Sequence, residues 1–410
     1  MPPCPPELIH IIATSAATSA LSALCRVSHA TRFEAERVLY RAIDLTECTR
    51  RVLRAWCKVM KRRVHLPSLV GKLSIRLLRD LETEDGVNLA RILTLCVNLK
   101  DLSILHPTRR FPTAGIESRQ NSSWESVCYW SWLIAAAPFR LDRFHCTGLQ
   151  LDFLNEKATP SRPDVDFWKN QTALRILSIP DQWQFPIDTD TLSEQPAYLA
   201  TLEVLETTAT AFNLGYILPA LRTLHLHVSD SHLEEDLLHA FSHVAIHDLT
   251  LERLVIIDHG LGSPSRRRAS YIPLVAGLIP TLRHLAITHA PCGTPGTHVA
   301  EAQQMLRNLH QLVHLESLVL QFQRPAGPLT MIVADNFDMY ALNKPAQARK
   351  FGNSVMQRLL PPLARLEVGV AVGTRTPVSY VFTRDSDTGK VVSRTVDGWE
   401  WDAAREFMEY

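Results

Sequence analysis

The amino-acid sequence predicts an α/β fold, a solenoid in which parallel strands and crossover helices alternate along the chain, preceded by a small segment of three helices. Two observations carry this prediction: a short apolar triplet that returns ten times between residues 70 and 368, and helical spacing between its copies. A third observation is that no glycine-rich phosphate-binding turn is present, although a doubly wound α/β domain usually has one. The 410 residues are therefore expected to form one elongated repeat array rather than several compact domains.

The triplet has the form Leu-x-x-Leu-x-Leu, with other apolar residues substituting at each position. Its copies begin at Val70, Leu99, Leu141, Leu174, Leu202, Leu221, Leu251, Leu282, Leu315 and Leu363. Copies from Leu221 to Leu315 begin 30, 31 and 33 residues apart, whereas Leu99 to Leu141 is 42 and Leu202 to Leu221 only 19, so the repeat period is loose. The last two apolar positions alternate around a variable one, as a half-buried strand requires. Burying a Leu or Ile contributes about 1.5–3 kcal/mol, so the copy that ends in Thr207 is expected to be a weak link.

The stretches between triplets have helical periodicity. Apolar residues recur at intervals of three and four over residues 89–96, 233–241 and 299–312. Parallel strands must be joined by crossovers of about a dozen residues or more, and these stretches are long enough to provide them. The strands are therefore predicted to be parallel.

The triplets resemble the leucine-rich repeat over roughly three quarters of the chain. The asparagine that usually follows the strand in that family is absent, so we expect an irregular array over residues 46–375. Its longer insertions, Arg109 to Ser122, Lys157 to Asp166 and Gly260 to Ala269, are predicted to be surface loops.

One face of the predicted strands is expected to bind a protein, because solenoids commonly use their strand-lined surface in this way. The residues that alternate with the buried strand positions form the candidate substrate face. They are Ser103, Arg143, Ser178, Glu206, His225, Arg253, His284, Ser317 and Glu367. Their chemistry is mixed and does not identify the bound protein.

The first 45 residues predict three short helices. A Pro6-Glu7 start suits the first turn of a helix, Thr18 or Ser19 can cap the second, and Ser28 can cap the third. A segment of about 40 residues seldom buries enough apolar surface to fold unaided. It is therefore expected to pack against something else.

Three stretches of this segment resemble an F-box: Pro5 to Ile9, Leu21 to Ser28, and Arg37 to Leu45. The third is similar to a form abundant in fungal F-box proteins. The resemblance implies that residues 1–45 dock onto the Skp-type adaptor of cullin-RING ubiquitin ligases. The implied contact residues are Pro5, Pro6, Leu8, Ile9, Leu24 and Val27. The alternative is that these helices only form the N-terminal cap of the array.

The last segment, residues 376–410, is predicted to be a C-terminal cap. Val378 to Phe382 and Lys390 to Arg394 flank the turn sequence Asp385 to Gly389, which favours a β-hairpin. A short helix is expected from Asp402 to Met408. Such a cap would cover the open end of the sheet.

Residues typical of catalysis are missing. The sequence has no nucleophile elbow, no phosphate-binding glycine loop and no paired-histidine metal helix, so we expect no enzyme, no cofactor and no catalytic or metal-binding residue. His225 and His227 share one strand face and are interpreted as polar surface residues. Arg266 to Ser270 resembles a kinase site but is interpreted as a solvated basic loop. A hydrolase would require a deep pocket that holds a Ser or Cys beside a His.

Charge and composition limit the partners. The chain has 43 Lys and Arg against 42 Asp and Glu, so its formal net charge of +1 gives no field that would attract nucleic acid or an anionic membrane. No apolar run reaches the roughly 18 residues of a membrane span. The N-terminus does not read as a secretory signal, and the eight cysteines lack metal or redox spacing, so we expect reduced thiols in a cytosolic or nuclear protein.

The resemblance to the F-box, together with the repeat array, implies a substrate-recognition subunit of a cullin-RING ubiquitin ligase. It would contact the Skp-type adaptor, through it a cullin, and a protein substrate that the sequence does not identify. The alternative is a protein-binding leucine-rich-repeat scaffold with no role in ubiquitination.

Overall fold

The computed structural model describes residues 5–77, 83–105, 132–147, 167–168, 170–180, 200–209, 212, 218–228, 233–246, 249–258, 271–291, 309, 311–324, 345–358, 363–372 and 378–397. Over these residues the fold is α/β and its strands are mostly parallel. The chain divides into two compact units, residues 1–182 with 186–201, and residues 183–185 with 202–410.

The first unit begins with three helices and continues with alternating strands and helices. Its elements are α1 (Pro6–Ser15), α2 (Thr18–Leu24), α3 (His29–Arg41), β1 (Ala42–Leu45), α4 (Arg50–Arg62), β2 (Lys72–Arg76), α5 (Thr83–Leu95), β3 (Asp101–Leu105), α6 (Trp132–Ala135), β4 (Arg143–Cys146) and β5 (Ile176–Ile179). Strands β1 to β5 pair in sequence order, and all are parallel. The sequence did not predict β1, which follows α3 directly.

The apolar triplets of this unit are stacked in register. Leu73, Leu102, Phe144 and Leu177 are paired across β2 to β5, and each of these side chains is fully buried. The first residue of each triplet, where the chain enters the strand, is buried as well. The predicted parallel strands are confirmed, and their shared apolar ladder forms the core of the unit.

Backbone hydrogen bonds connect successive repeats where each strand begins. At each strand entry an amide donates to a carbonyl one repeat earlier, as in Lys100 to Gly71 at 2.8 Å and Asp142 to Lys100 at 2.8 Å. The buried side chain of Gln171 accepts from the amide of Leu141 at 2.8 Å and donates to the carbonyl of Phe139 at 3.2 Å. Buried backbone groups are satisfied in this way, as the irregular array requires.

The second unit has a longer run of strands. Its elements are β6 (Val204–Thr208), β7 (Thr223–Val228), α7 (Leu233–Ile246), β8 (Arg253–Asp258), α8 (Tyr271–Leu278), β9 (His284–Pro291), β10 (Ser317–Arg324), α9 (Pro345–Arg358), β11 (Arg365–Val372), β12 (Val378–Arg384) and β13 (Val391–Asp397). Strands β6 to β11 are parallel and pair in order. The middle leucines of the six triplets form one register row.

The predicted C-terminal hairpin is confirmed. Strand β12 pairs antiparallel with β11, and β13 pairs antiparallel with β12. The turn between them contains Gly389 at a φ of +66°, a value that glycine adopts without steric cost. The Asp385 carboxylate accepts hydrogen bonds from the amides of Asp387 at 3.0 Å and Thr388 at 2.7 Å, which closes the turn.

Both faces of the central strands of the second unit are buried. Opposite the leucine row, Val255, Ile257, Ala286 and Val319 form an apolar cluster of their own. Strands covered on both faces are typical of parallel sheets. The prediction of half-buried strands with an open second face is therefore wrong here.

Several predicted features lie outside the described residues. They are the insertions at 109–122, 157–166 and 260–269, the basic run at 266–270, the helical stretch at 299–308 and the final helix at 402–408. The helices over 89–96 and 233–241 are confirmed as parts of α5 and α7. No helix in the described part of the chain is long and apolar enough to cross a membrane.

Candidate functional site

Helices α1 to α3 form a small bundle with a core built largely of alanine. Ala13 of α1, Leu21 of α2 and Ala35 of α3 are buried together. Half-buried neighbours, among them Leu24 and Val38, pack against these three side chains. The core is small, so little of the apolar surface of α1 and α3 is used inside the bundle.

The starts of the helices follow local chemistry, with one exception. Pro6 opens α1 and Glu7 lies in its first turn, as predicted. Ser28 caps α3 through a reciprocal pair with Thr31, in which the Thr31 amide donates to Ser28 Oγ at 3.2 Å and the Ser28 amide donates to Thr31 Oγ1 at 2.9 Å. The predicted cap of α2 by Thr18 or Ser19 is wrong, because Ala17 precedes the helix and no side chain caps it.

One face of α1 is apolar and exposed. Leu8, Ile11 and Ile12 keep 50%, 58% and 53% of their surface in solvent, and their spacing of three and four residues places them on one side of the helix. Val27 and Phe33 add further exposed apolar surface, at 69% and 51%. Fully burying one such side chain is worth about 1.5–3 kcal/mol, so this surface would contribute substantially to binding a partner.

The predicted adaptor-contact residues differ in how exposed they are. Pro5, Leu8 and Val27 are exposed, and Leu24 is half-buried against the alanine core. Pro6 opens α1, but its side chain is not described. Ile9 is only 7% exposed and belongs to the interior, so it is not available for the predicted contact.

The sequence reasoning missed Ile11, Ile12 and Phe33. Leu8, Ile9, Ile11 and Ile12 are all apolar, so composition alone does not say which of them face inward. The helical spacing does: Ile9 and Ala13 are four residues apart and share the buried side, which leaves Leu8, Ile11 and Ile12 for the other.

Glu36 fixes α3 to the segment that follows α4. Its buried carboxylate accepts from Arg63 at 2.6 Å, contacts His65 Nε2 at 3.1 Å, and lies 3.3 Å from Arg32. Burial alone would raise the pKa of Glu36, but the hydrogen bond to His65 and the charges of Arg63 and Arg32 outweigh it and hold the pKa below its usual value. The three helices thus have a defined attachment within the first unit.

The candidate substrate face is mostly buried. Ser103, Ser178, Glu206, His225 and Glu367 are each less than 9% exposed. Arg143, Arg253, His284 and Ser317 are half-buried. Arg253, His284 and Ser317 lie in one register row across β8, β9 and β10. Of the nine residues of the candidate substrate face, these four half-buried side chains are therefore the ones that a partner can contact.

The buried histidines of the second unit correct the interpretation of His225 and His227 as surface residues. His227 Nε2 lies 2.9 Å from the Glu206 carboxylate, and both side chains are buried. His225 is completely buried, and this burial lowers its pKa to about 4. This burial was not predictable from the strand sequence, because the strand does not encode which element covers its second face.

One Ser–His pair is present in the first unit. His145 Nδ1 of β4 lies 2.5 Å from Ser178 Oγ of β5, at directly paired strand positions. Ser178 has no exposed surface, so a substrate does not reach its hydroxyl in this structure. The pair therefore lacks the deep pocket that a hydrolase would need.

The described side chains were compared with the requirements of a metal site and of a reactive cysteine. Within those ranges no three His, Cys, Asp or Glu side chains are grouped as metal ligands. The described cysteines are Cys25, Cys48, Cys57, Cys96 and Cys146, and all are free thiols. Burial raises the pKa of Cys57 to about 11 and that of Cys96 to about 12, so neither forms a reactive thiolate near neutral pH.

No protein-family model matches this chain, and no curated protein matches it at a significant level.

Proposed function

We propose that this protein is the substrate-recognition subunit of a cullin-RING ubiquitin ligase. In this proposal α1 to α3 are an F-box that binds a Skp-type adaptor, and the repeat array is an irregular leucine-rich-repeat solenoid that holds a protein substrate. The chain performs no covalent chemistry. It brings the substrate close to the ubiquitin-charged enzyme and so raises the effective concentration of the substrate there.

The exposed apolar face of α1 carries the proposal. A helix whose other side already packs inside its bundle has no internal use for Leu8, Ile11 and Ile12, each of which is at least half exposed. Contiguous exposed apolar patches mark interaction sites in soluble proteins. Val27, in the turn after α2, and Phe33 on α3 are further exposed apolar side chains that an adaptor would cover.

The attachment of the helices supports the same role. A receptor must hold its substrate at a defined position relative to the adaptor. Glu36 joins α3 to Arg63 and His65, and α3 continues into β1, which pairs with β2. The same contacts also serve a cap of the array, so adaptor capture is the property that separates the two roles.

Leu8→Asp tests the docking surface. The change places a charge in the centre of the apolar face and should abolish capture of a purified Skp-type adaptor, since a carboxylate buried without a partner is strongly unfavourable. Binding is measured by calorimetry or co-purification with the full chain. Circular dichroism checks that the fold is kept, which we expect because Leu8 is half exposed.

Val313→Asp is the matched control. Val313 is 60% exposed and lies in a turn before β10 in the second unit, so its substitution should leave adaptor capture unchanged. If the wild-type chain never captures the adaptor, the helices are a cap and the protein is a scaffold unrelated to ubiquitination. Equal capture by Leu8→Asp and wild type would also contradict the proposal.

A further inference from the structure

Helix α4 is strongly cationic. It contains six Lys or Arg and no acidic residue, and no Asp or Glu occurs anywhere between Cys48 and Arg79. Leu53, Cys57 and Met60 form its buried face. The cations recur at intervals of three and four and share the side of the helix that turns toward α5.

A groove with a cavity volume of about 570 Å³ lies between α4 and α5. It is lined by Leu53, Arg54, Cys57, Lys58, Lys61, Arg62, Glu84, Asp85 and Asn88. One wall is therefore a row of cations and the other is the start of α5. The formal net charge of +1 for the chain hides this local concentration.

Asp85 is already used inside the groove. Its buried carboxylate accepts from Arg50 at 2.8 Å and from Arg54 at 2.5 Å. Burial alone would raise the pKa of Asp85, but these two arginines outweigh it and lower the pKa. Asp85 thus stays ionised and holds both arginines in place.

The remaining groove charges are Lys58, Lys61 and Arg62 against the exposed carboxylate of Glu84. Lys61 donates to the Asn88 side-chain oxygen. Lys58 and Arg62 form no ion pair with the described residues, and both are exposed. The groove therefore has an excess of positive charge that nothing in the described chain neutralises.

We propose that this groove binds an acidic segment of a partner protein in extended conformation. Carboxylates on alternate residues of an extended chain are about 6.5–7 Å apart. Helical side chains three or four positions apart are separated by about 5–6 Å, so successive cations of α4 can each meet one carboxylate. This proposal does not depend on adaptor binding by α1 to α3.

Other polyanions fit the groove less well. The residues that line it include no aromatic side chain on which a base could stack, and the Glu84 carboxylate opposes a continuous phosphate backbone. The chain lacks the broadly basic surface charge of nucleic-acid-binding domains, with a sequence pI of about 7.7. A bilayer is flat, whereas these cations line a concave groove.

Binding is measured with the full chain by fluorescence anisotropy, using a labelled peptide of alternating glutamate and serine. The matched peptide has glutamine in place of glutamate, and single-stranded DNA and anionic phosphatidylserine vesicles serve as the other polyanions. We expect the glutamate peptide to bind, and its affinity to fall as salt is added. Its affinity should be higher than that of the glutamine peptide, the DNA or the vesicles. Binding of DNA or vesicles as tight as that of the glutamate peptide would overturn the assignment.

Three variants locate the binding. The double variant Lys58→Glu/Arg62→Glu should lower the affinity for the glutamate peptide about tenfold or more, because two attractive charge pairs become repulsive. Glu84→Gln should raise the affinity for the glutamate peptide, because the carboxylate that repels the peptide is removed. Arg349→Glu/Lys350→Glu on α9, a matched charge reversal at exposed positions, should change nothing.

Two results would contradict this proposal, whether or not α1 to α3 bind an adaptor. One is the absence of binding by the wild-type chain to the glutamate peptide. The other is an equal loss in the α4 and α9 variants, which would indicate only a general charge effect. The opposite sign expected for Glu84→Gln keeps the test informative if the double variant folds poorly.

Discussion

His225 is buried in the second unit with no exposed surface. The charged and titratable groups around it are Glu206 on β6, His227 on its own strand and Arg253 on β8. Burial is the largest influence and lowers its pKa, and His227 and Arg253 lower it further, while Glu206 acts in the opposite direction. The net pKa of about 4 lies well below that of a free histidine, about 6.5.

This environment predicts a loss of stability in mild acid. Between pH 6.5 and about 4 the unfolded chain binds a proton at His225 that the folded chain does not, so the free energy of unfolding should fall as the pH is lowered through this window. The contribution of this one residue is on the order of 3 kcal/mol across the whole window. His225→Gln should flatten the dependence, as measured by urea denaturation at several pH values.

His239→Gln is the control for this prediction, because His239 is exposed on α7. The control should keep the acid dependence of the wild-type chain. If His225→Gln also keeps it unchanged, the loss of stability in acid arises elsewhere.

Two helical glycines show how elements of the second unit differ in their packing. Gly352 of α9 is buried against β12, and an added methyl group would overlap the buried ring of Phe382. At Gly277 of α8, no atom of the described chain lies within 4 Å of the position that such a methyl group would take, apart from the adjoining residues and the backbone of the helix itself. The same substitution therefore meets opposite surroundings on the two helices.

Alanine at these positions should change stability in opposite directions. Gly352→Ala should destabilise the protein by about 1–3 kcal/mol, because Phe382 must move within a packed core. Gly277→Ala should stabilise it by roughly 0.5–1 kcal/mol, because alanine is the better helix former and nothing obstructs it. Thermal unfolding of the two variants checks both signs, and a stabilising Gly352→Ala would show that α9 does not pack on β12 as described.

At the level of the whole molecule, the sequence predicted the strands because each triplet repeats the same local rule. Leu73, Leu102 and Leu177 enter equivalent strand positions, and their burial depends on the neighbouring repeat alone. Thr207 takes the buried third position of its triplet, paired with Leu226 of β7, and its hydroxyl makes no hydrogen bond within the described part of the chain. This burial is consistent with the expected weak link.

What the sequence did not reveal depends on contacts between elements distant in the chain. Strand β1 was missed because Ala42–Leu45 contains no triplet, and its strand character comes from its pairing with β2. The exposed side of α1 and the covered second face of β8 depend on which element packs there. The cationic groove was missed because the overall charge balance concealed the absence of acidic residues between Cys48 and Arg79.

The attachment of the three helices to the array should depend on Glu36. A hydrogen bond to a charged group contributes about 1.5–3 kcal/mol, and Glu36 has partners on both α3 and the segment after α4. Glu36→Gln should therefore speed amide hydrogen exchange in α1 to α3 and leave exchange in β7 to β11 unchanged. The pKa of Glu36 is lowered in the folded chain, so its contribution is present near neutral pH and is lost as the pH falls through that lowered value.

Glu47→Gln separates this effect from the general loss of a surface charge. Glu47 pairs with Arg76 at 2.9 Å, but its side chain is 81% exposed, and such pairs contribute little. Exchange in α1 to α3 should stay at the wild-type rate in this variant. If Glu36→Gln speeds exchange equally in both units, the carboxylate stabilises the molecule globally and is not a local anchor. An unchanged rate in α3 would mean that other contacts hold the helices, among them the pairing of β1 with β2 and the hydrogen bond from the Gly71 amide to the Arg41 carbonyl at 2.9 Å.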